Sequence, residues 1–349
     1  MRVLKHGAFV CAPVLLSTHL NCPSSSVIMA ESPDGQPYFV VGKKNGEIVF
    51  FAIDRDVFRY TVCSDSEVTA IAVGDLRRLG RSQIVAIAAD GLLHMIDFPR
   101  VMGKVVQPPM LRFEQIMKAN ICAAKILDID SDGNSEMVVV MTDRVVRTYR
   151  FIEQCLIPLN KWEVPSQICG FAIGQTCCGR VHALLSQSNQ KYIIRIDFSQ
   201  KNGVTIPQSM TSDGRESQLV IPVSPLYLSV LESMTRKIVV VTSEPSTETE
   251  LKQSPDTIIV AVSTVTLKSG MRLVIGVDMC GLLLVYGWTD ELLTHTEPLA
   301  RVQVLNEAVH MCAMPTNDQY RFLVGITTIY YKIALYQVDL SSVVLLKSV

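Results

Sequence analysis

Residues 121–151 read ICAAKILDIDSDGNSEMVVVMTDRVVRTYRF, and this stretch decides the fold class. A short apolar segment is followed by a polar turn of Asp, Ser, Gly and Asn, and a second apolar segment comes directly after it. Another turn leads to a third segment that contains Val, Tyr and Phe. Short runs of β-branched and aromatic residues between turn residues are typical of strands. The stretch therefore predicts three successive antiparallel strands.

The same arrangement recurs along the chain at an average spacing of about 47 residues, which is in the range of β-propeller blades. The predicted blade cores are 26–53, 69–98, 121–151, 168–198, 220–253, 258–288 and 308–338. Blades that pack on both sides bury both faces of their sheets, which explains strands that are apolar throughout. We therefore predict an all-β fold, a single seven-bladed β-propeller over residues 1–349 whose fifth blade is degenerate.

Segments outside the blade cores receive simpler predictions. Residues 1–12 are expected to form a closing strand, and 199–216 and 242–257, rich in Ser, Thr, Gln, Pro and Glu, are expected to be surface loops. A signal peptide is the alternative at the N-terminus, with Arg2 and Lys5 ahead of an apolar segment. Pro13 lies inside that segment and no Ala-x-Ala site follows, so a strand is favoured.

The composition excludes several classes of protein. Hydrophobic residues make up 48% of the chain and charged residues 19%, so disorder along the whole length is excluded. The formal net charge is −1, which argues against a general nucleic-acid binder. The longest stretch without Asp, Glu, Lys or Arg, residues 7–30, is interrupted by prolines and serines, so no transmembrane helix is expected. Membrane association is expected only through partners.

One turn has the pattern of a cation-binding loop. Its candidate ligands for Ca²⁺ are Asp128, Asp130, Asp132, Asn134 and Glu136. Three short carboxylates around a turn that contains Gly133 supply the oxygen ligands that Ca²⁺ prefers. A strand follows the turn instead of a helix, so the loop is not an EF-hand. The alternative is that the carboxylates only cap the turn through hydrogen bonds.

No catalytic motif is present in the sequence. The chain lacks G-x-S-x-G, G-x-x-x-x-G-K-[ST], H-E-x-x-H and G-x-G-x-x-G, so we predict that the protein is not an enzyme. Arg144, Arg147 and Arg150 follow the cation loop and are either partner-binding residues or a solvated strand edge. Three cysteines at matched first-strand positions are interpreted as small core residues instead of metal ligands: Cys122, Cys169 and Cys312.

The Asp-x-Asp-x-Asp-Gly-x-x-Glu turn at 128–136, followed by Thr-Asp-Arg-Val-Val-Arg at 142–147, resembles the FG-GAP repeat family of β-propellers. Gly74-Asp75, Val85-Ala86 and the Gly91-x-x-His94 segment of the second unit support the resemblance. No literal Phe-Gly or Gly-Ala-Pro signature is present, so an integrin itself is not expected.

The resemblance implies a non-enzymatic scaffold subunit of a KICSTOR-like complex. Its implied partners are a kaptin-like propeller subunit, a large scaffold protein and the GATOR GAP complex, which the assembly would hold at the lysosome. The implied output is restraint of target-of-rapamycin signalling when amino acids or glucose are scarce, from a cytoplasmic location at the lysosomal membrane. The alternative is an extracellular integrin-like, cation-dependent adhesion module. One structural Ca²⁺ is the only cofactor expected.

Overall fold

The protein is described from a computed structural model. The described residues are 8–53, 57–102, 105–176, 178–188, 192–198, 205–209, 217–223, 227–232, 236–242, 248–288 and 296–345. Their regular structure consists of strands and one short helix at the end of the described chain. In this part of the chain, no helix has the length and apolar character needed to cross a membrane.

The strands follow one another at short intervals. The first are β1 (Ala8–Phe9), β2 (Val14–His19), β3 (Ser24–Glu31), β4 (Pro37–Lys43), β5 (Glu47–Ala52), β6 (Val57–Thr61), β7 (Val68–Gly74), β8 (Gln83–Ala88), β9 (Leu92–Asp97), β10 (Arg100–Met102), β11 (Val105–Gln107) and β12 (Met110–Ile116). Next come β13 (Ile121–Leu127), β14 (Glu136–Met141), β15 (Val145–Ile152), β16 (Cys155–Glu163), β17 (Ile168–Gln175), β18 (Val181–Gln187), β19 (Tyr192–Asp197), β20 (Thr205–Ser209), β21 (Ser217–Pro222), β22 (Tyr227–Glu232), β23 (Ile238–Thr242) and β24 (Glu248–Glu250). The last are β25 (Ile259–Thr266), β26 (Arg272–Asp278), β27 (Leu282–Trp288), β28 (Ala300–Gln303), β29 (Ala308–Pro315), β30 (Arg321–Thr328), β31 (Lys332–Asp339) and helix α1 (Ser341–Leu345).

Six sheets of the described chain have four strands each. They are propeller blades, which is the type of sheet that the repeat predicts. Their strand orders are β3-β4-β5-β6, β7-β8-β9-β12, β13-β14-β15-β16, β17-β18-β19-β20, β21-β22-β23-β24 and β29-β30-β31-β2. All pairings inside them are antiparallel. The hairpin β10–β11 is separate and connects the third and fourth strands of the second blade.

The remaining large sheet has five strands, in the order β1-β28-β27-β26-β25. Its extra strand arises because Ala8 and Phe9 pair in parallel with Ala300 and Arg301. The prediction of a single seven-bladed propeller is therefore wrong, because six sheets of the described chain are four-stranded blades and this sheet differs from them. The all-β propeller fold is confirmed.

The ring is closed by strands from both ends of the described chain. β2 pairs antiparallel with β31, and Ser17 lies opposite Ala334. The closing strand is therefore at Val14–His19 and not within residues 1–12, of which 1–7 lie outside the described residues. β1 adds to another sheet, as described above.

The segment predicted as a degenerate fifth blade forms a complete four-stranded sheet, β21–β24. The predicted loop at 199–216 contains β20, and the predicted loop at 242–257 contains β24. The rest of 199–216, and residues 243–247, lie outside the described residues. Each of these short strands is the outermost strand of its sheet, paired with β19 or β23.

The second strand of a sheet is the most deeply buried. All six residues of β8 and of β14 are buried, because neighbouring sheets pack on both of their faces. Outer strands are only partly covered, and β16 has mostly exposed side chains. This gradient explains why the central strands are apolar runs while an outer strand such as β16 contains more polar residues.

The first strands of the sheets surround a central channel of about 1140 Å³. Cys122, Cys169 and Cys312 all line it, and the first two are exposed to it rather than buried in the core. The nine cysteines within the described residues are free thiols.

Candidate metal centre

The predicted cation loop connects β13 to β14 and is folded around the carboxylate of Asp128. Asp132 and Gly133 donate their backbone N–H groups to the two oxygens of Asp128, at 3.2 and 2.8 Å. Ser131 and Gly133 both have positive φ, 61° and 82°, which turns the chain back towards Asp128. The capping role proposed as the alternative to metal binding is thus observed for Asp128.

The loop brings together three of its five predicted ligands. Asp128, Asp130 and Glu136 each have an oxygen within 4.8 Å of the others, and this is the one such acidic or thiol cluster found among the described residues. Asp132 lies outside the cluster, and its Oδ1 accepts the backbone N–H of Asn134 at 2.8 Å.

A guanidinium contacts these carboxylates. Arg150 lies directly opposite Glu136 across β14 and β15. Its Nε donates to Glu136 Oε1 at 2.6 Å, its Nη2 lies 3.0 Å from Asp130 Oδ2, and its Nη1 lies 2.9 Å from Asp132 Oδ2. Glu136 is fully buried and also accepts the backbone N–H of Ile129 at 3.1 Å. Arg150 therefore forms ion pairs with three of the four acidic groups of the loop.

Burial and neighbouring groups shift the pKa values of the charged groups at this site. Burial raises the pKa of Glu136, and the hydrogen bonds from Ile129 and Arg150 offset only part of that shift. Burial by itself lowers the pKa of Arg150, but the hydrogen bond and charge of Glu136, together with Asp130 and Asp132, raise it above its ordinary value. The hydrogen bond with Asn134 lowers the pKa of Asp132.

The donor set does not fit a resident Ca²⁺. Calcium needs six to eight oxygen ligands, and the carboxylates that would supply them accept hydrogen bonds from Arg150 or from the backbone. The calcium prediction stays a prediction, and these contacts favour a turn that is closed without a metal ion.

The second blade contains the same turn without the extra acids. The two oxygens of Asp75 accept the N–H groups of Leu79 at 2.8 Å and Gly80 at 2.7 Å. Arg78 and Gly80 have positive φ, at 57° and 70°, as do the corresponding residues of the 128–136 loop. The two turns therefore share their first aspartate, their glycine and their two positive φ angles, although their other side chains differ.

Sequence reasoning missed a polar position shared by several blades. In the second blade, Gln83 donates to Asp97 at 2.7 Å, and Arg112 contacts the same carboxylate at 2.6 Å. In the sheet that closes the ring, Arg321 contacts Asp339, its cross-strand partner, at 2.6 Å. A polar or charged residue at the start of the second strand is the signal that identifies this position, but its partner depends on strand register.

The three predicted partner-binding arginines do not form one surface. Arg150 contacts the loop, whereas Arg144 and Arg147 line a small pocket with Lys161 and Glu163. Arg144 is exposed and donates to the backbone oxygen of Pro165 at 3.0 Å. Side chains alternate along a strand, so Arg147 and Arg150 lie on opposite faces of β15.

The described residues that line the central channel include one charged side chain. Lys125 is the one side chain with a formal charge at neutral pH among its described lining residues. Burial lowers the pKa of Lys125 and that of His310, which also lines the channel. No carboxylate is present among the described lining residues.

Proteins with the same fold include the BBS1N domain in its crystal structure with ARL6DN and soaked lead. That structure matches with a TM-score of 0.69 at 10% sequence identity, over 96% of this chain and 98% of that one. At this identity the similarity supports the propeller fold alone.

Sequence comparison gives the family. KICSTOR complex protein ITFG2 of Mus musculus is 28% identical over 200 residues, which cover 51% of this chain and 44% of that protein. The protein of the same name from Bos taurus is 29% identical over 190 residues, which cover 49% of this chain and 35% of that protein. The match thus spans less than half the length of each relative. Residues 54–274, more than half of this chain, match the profile of the family described as Integrin-alpha FG-GAP repeat-containing protein 2. The expected FG-GAP relationship is confirmed, and the chain belongs to the integrin-alpha FG-GAP repeat-containing protein 2 family.

Proposed function

We propose that the protein is a non-enzymatic scaffold subunit of a KICSTOR-like complex that recruits the GATOR GAP complex to lysosomes. In this role it restrains target-of-rapamycin signalling under amino-acid or glucose starvation. The observation that carries the proposal is the family match over residues 54–274, together with relatives that are named as KICSTOR complex proteins.

The proposed partners follow from the same relationship. They are a kaptin-like propeller subunit and a large scaffold protein, with the GATOR GAP complex as cargo. The proposed location is the cytoplasmic side of the lysosomal membrane, reached through these partners. The absence of a carboxylate among the described channel residues supports a binding role over a catalytic one.

An exposed apolar surface supports a role in protein assembly. The surface lies on one side of the two sheets that contain β25–β28 and β29–β31. Its residues lie at turns and strand starts, and they are Ile258, Met279, Val309, Ile329, Tyr330 and Tyr331. Tyr330 is 62% exposed, Ile329 53% and Met279 50%. We call these six residues the apolar turn surface.

Backbone hydrogen bonds connect the turns that carry the apolar turn surface. Met279 donates to Ile258 at 3.2 Å, Glu307 donates to Met279 at 2.8 Å, and Ile329 donates to Glu307 at 3.1 Å. The equivalent turn between β4 and β5 has the exposed Lys44, and that between β14 and β15 has the exposed Asp143. These two turns therefore carry a charged residue where the turn after β26 carries Met279.

The occupant that we assign to this surface is another protein subunit of the same complex. Exposed tyrosine and methionine are enriched at protein–protein interfaces, and large exposed apolar patches on soluble proteins mark such contacts. Arg144 and Arg147 stay predicted partner contacts at a separate place, the pocket beside β16.

The test is affinity purification of the tagged full chain from its own cells. The wild-type chain is expected to recover a kaptin-like protein and a very large partner, and recovery of neither contradicts the proposed function. Replacing both Met279 and Tyr330 with Ser is expected to reduce recovery of a partner at least about tenfold, as loss of interface hot spots does. Lys44→Ser at the equivalent polar turn is the matched control and should leave recovery unchanged. Equal recovery with the double variant contradicts the assignment of the surface.

A further inference from the structure

We propose that Arg150 takes the place of the cation in the 128–136 loop, so that the loop is a calcium-independent clamp between its turn and β15. The sequence motif points to a divalent metal, whereas the contacts of the folded chain point to an internal guanidinium. The inference concerns residues that the family match does not assign, and it stands independently of the proposed function.

The strand register holds Arg150 in this position. Glu136 and Arg150 are direct cross-strand partners, and Arg150 also reaches Asp130 and Asp132 from the same strand position. A guanidinium is planar and has five N–H donors in a fixed geometry on three nitrogens, so it can form ion pairs with several carboxylates at once. The contacts at 2.6, 3.0 and 2.9 Å use all three of its nitrogens.

The same cross-strand position carries a polar pair in other sheets. Gln83 lies next to Asp97 in the second blade, and Arg321 lies opposite Asp339 in the sheet that closes the ring. In the latter pair the basic residue is on the second strand and the acidic residue on the third, the reverse of Glu136 and Arg150. The pair is therefore a recurring way of fixing the end of the sheet, and it does not depend on a metal-binding turn.

The turn itself also forms without a cation-binding set of acids. The Asp75 turn has the same two backbone hydrogen bonds and the same two positive φ angles, yet it has Arg77 and Leu79 where the other loop has Asp130 and Asp132. The additional acids of the 128–136 loop are thus not required for its shape. Asp130 and Asp132 instead contact Arg150.

A bound Ca²⁺ would compete with Arg150 for the same oxygens. Calcium bound to Asp130 and Glu136 would lie about 2.3–2.6 Å from oxygens that already accept hydrogen bonds from the guanidinium. At so short a distance Ca²⁺ and the guanidinium would repel each other strongly, because the partly buried site screens charge less than water does. Removal of Arg150 would leave the acids unpaired and free to take the metal.

The test compares thermal melting of the full chain in EDTA and in about 1 mM Ca²⁺, the weak end of protein calcium sites. The wild-type melting temperature is expected to be equal in the two buffers. Arg150→Met is expected to melt lower than wild type in EDTA and to regain part of the loss in Ca²⁺, because a ligand that binds only the folded state stabilises it.

The matched control is Arg112→Met, which removes an arginine from Asp97 in the second blade, where the turn lacks the additional acids. It is expected to melt lower in both buffers by the same amount. If Arg150→Met does not fold, calcium titration calorimetry of the wild-type chain decides alone, and the expected result is no binding heat. A wild-type chain that binds or is stabilised by Ca²⁺, or a folded Arg150→Met that Ca²⁺ does not stabilise, overturns the proposal.

Discussion

At the scale of single residues, the pair of Glu136 and Arg150 determines how the 128–136 loop is held. Glu136 is fully buried, and its charge is tolerated because Ile129 and Arg150 donate hydrogen bonds to it. Breaking a buried ion pair by removing one partner leaves the other charge uncompensated. Loss of Arg150 should therefore lower the free energy of unfolding by about 3 kcal/mol, the lower end of the usual range, since Asp130 and Asp132 face water.

His182 should make the stability of the protein depend on pH. Burial lowers its pKa below the ordinary value of 6.5, and its ring packs against Gly174 with no space between them for another side chain. The unfolded chain therefore takes up the proton first, so the contribution of this group is present above pH 6.5 and is lost as the pH falls below it. The melting temperature is expected to fall between about pH 7.5 and about pH 5.5, on either side of the ordinary histidine pKa.

His182→Gln should reduce this fall, because the variant has no proton to gain at that position. His19→Gln, at an exposed position, is the control and should melt with the pH dependence of the wild-type chain. Identical pH profiles for His182→Gln and the wild-type chain would show that His182 does not titrate on unfolding. Melting temperatures from differential scanning calorimetry provide the measurement.

The loop could be predicted from the sequence, but the role of Arg150 could not. The spacing of Asp128, Asp130 and Glu136 is a local pattern, and the fold does bring these three together. Arg150 was grouped with Arg144 and Arg147 as one basic set, although it lies on the other face of β15. Its true partner depends on the register between β14 and β15, which no short motif contains.

At the scale of elements, the central strands were the predictable part of the fold. β8 and β14 are short apolar runs because both faces are buried, and such runs identify strands directly. Outer strands such as β16 are mostly exposed, so their sequences carry little pattern. The parallel pairing of β1 with β28 joins residues nearly three hundred positions apart, and neither strand has a sequence signal for it.

The closing strand β2 should be essential, and β1 dispensable. β2 pairs with β31 from Val14 to His19, whereas β1 contributes a two-residue pairing. Deleting residues 2–19 removes several backbone hydrogen bonds, each worth about 1 kcal/mol, and leaves an unpaired edge strand. We expect this deletion to lower the melting temperature sharply or to cause aggregation, as seen by light scattering.

Deletion of residues 2–9 is the matched control, since it removes β1 and leaves β2 in place. It should change the melting temperature only slightly. If the two deletions have equal effects, β2 is not the strand that closes the ring.

At the scale of the whole molecule, the high apolar content is explained by sheets packed around a channel. Central strands that are buried on both faces explain why the chain has a high share of hydrophobic residues, 48%. In the described residues, no helix could span a membrane. The repeat predicted the propeller fold but gave the wrong number of blades, and it could not show that one sheet gains a fifth strand. The apolar turn surface could not be predicted from the sequence, because its residues come from turns of separate repeats.

The proposed function is restraint of target-of-rapamycin signalling as part of a KICSTOR-like complex. The most direct test removes the chain from its own cells and measures phosphorylation of a target-of-rapamycin substrate after amino-acid withdrawal. Phosphorylation is expected to stay high in the depleted cells, and wild-type protein is expected to restore the normal fall. A normal fall in cells that lack the protein would contradict it.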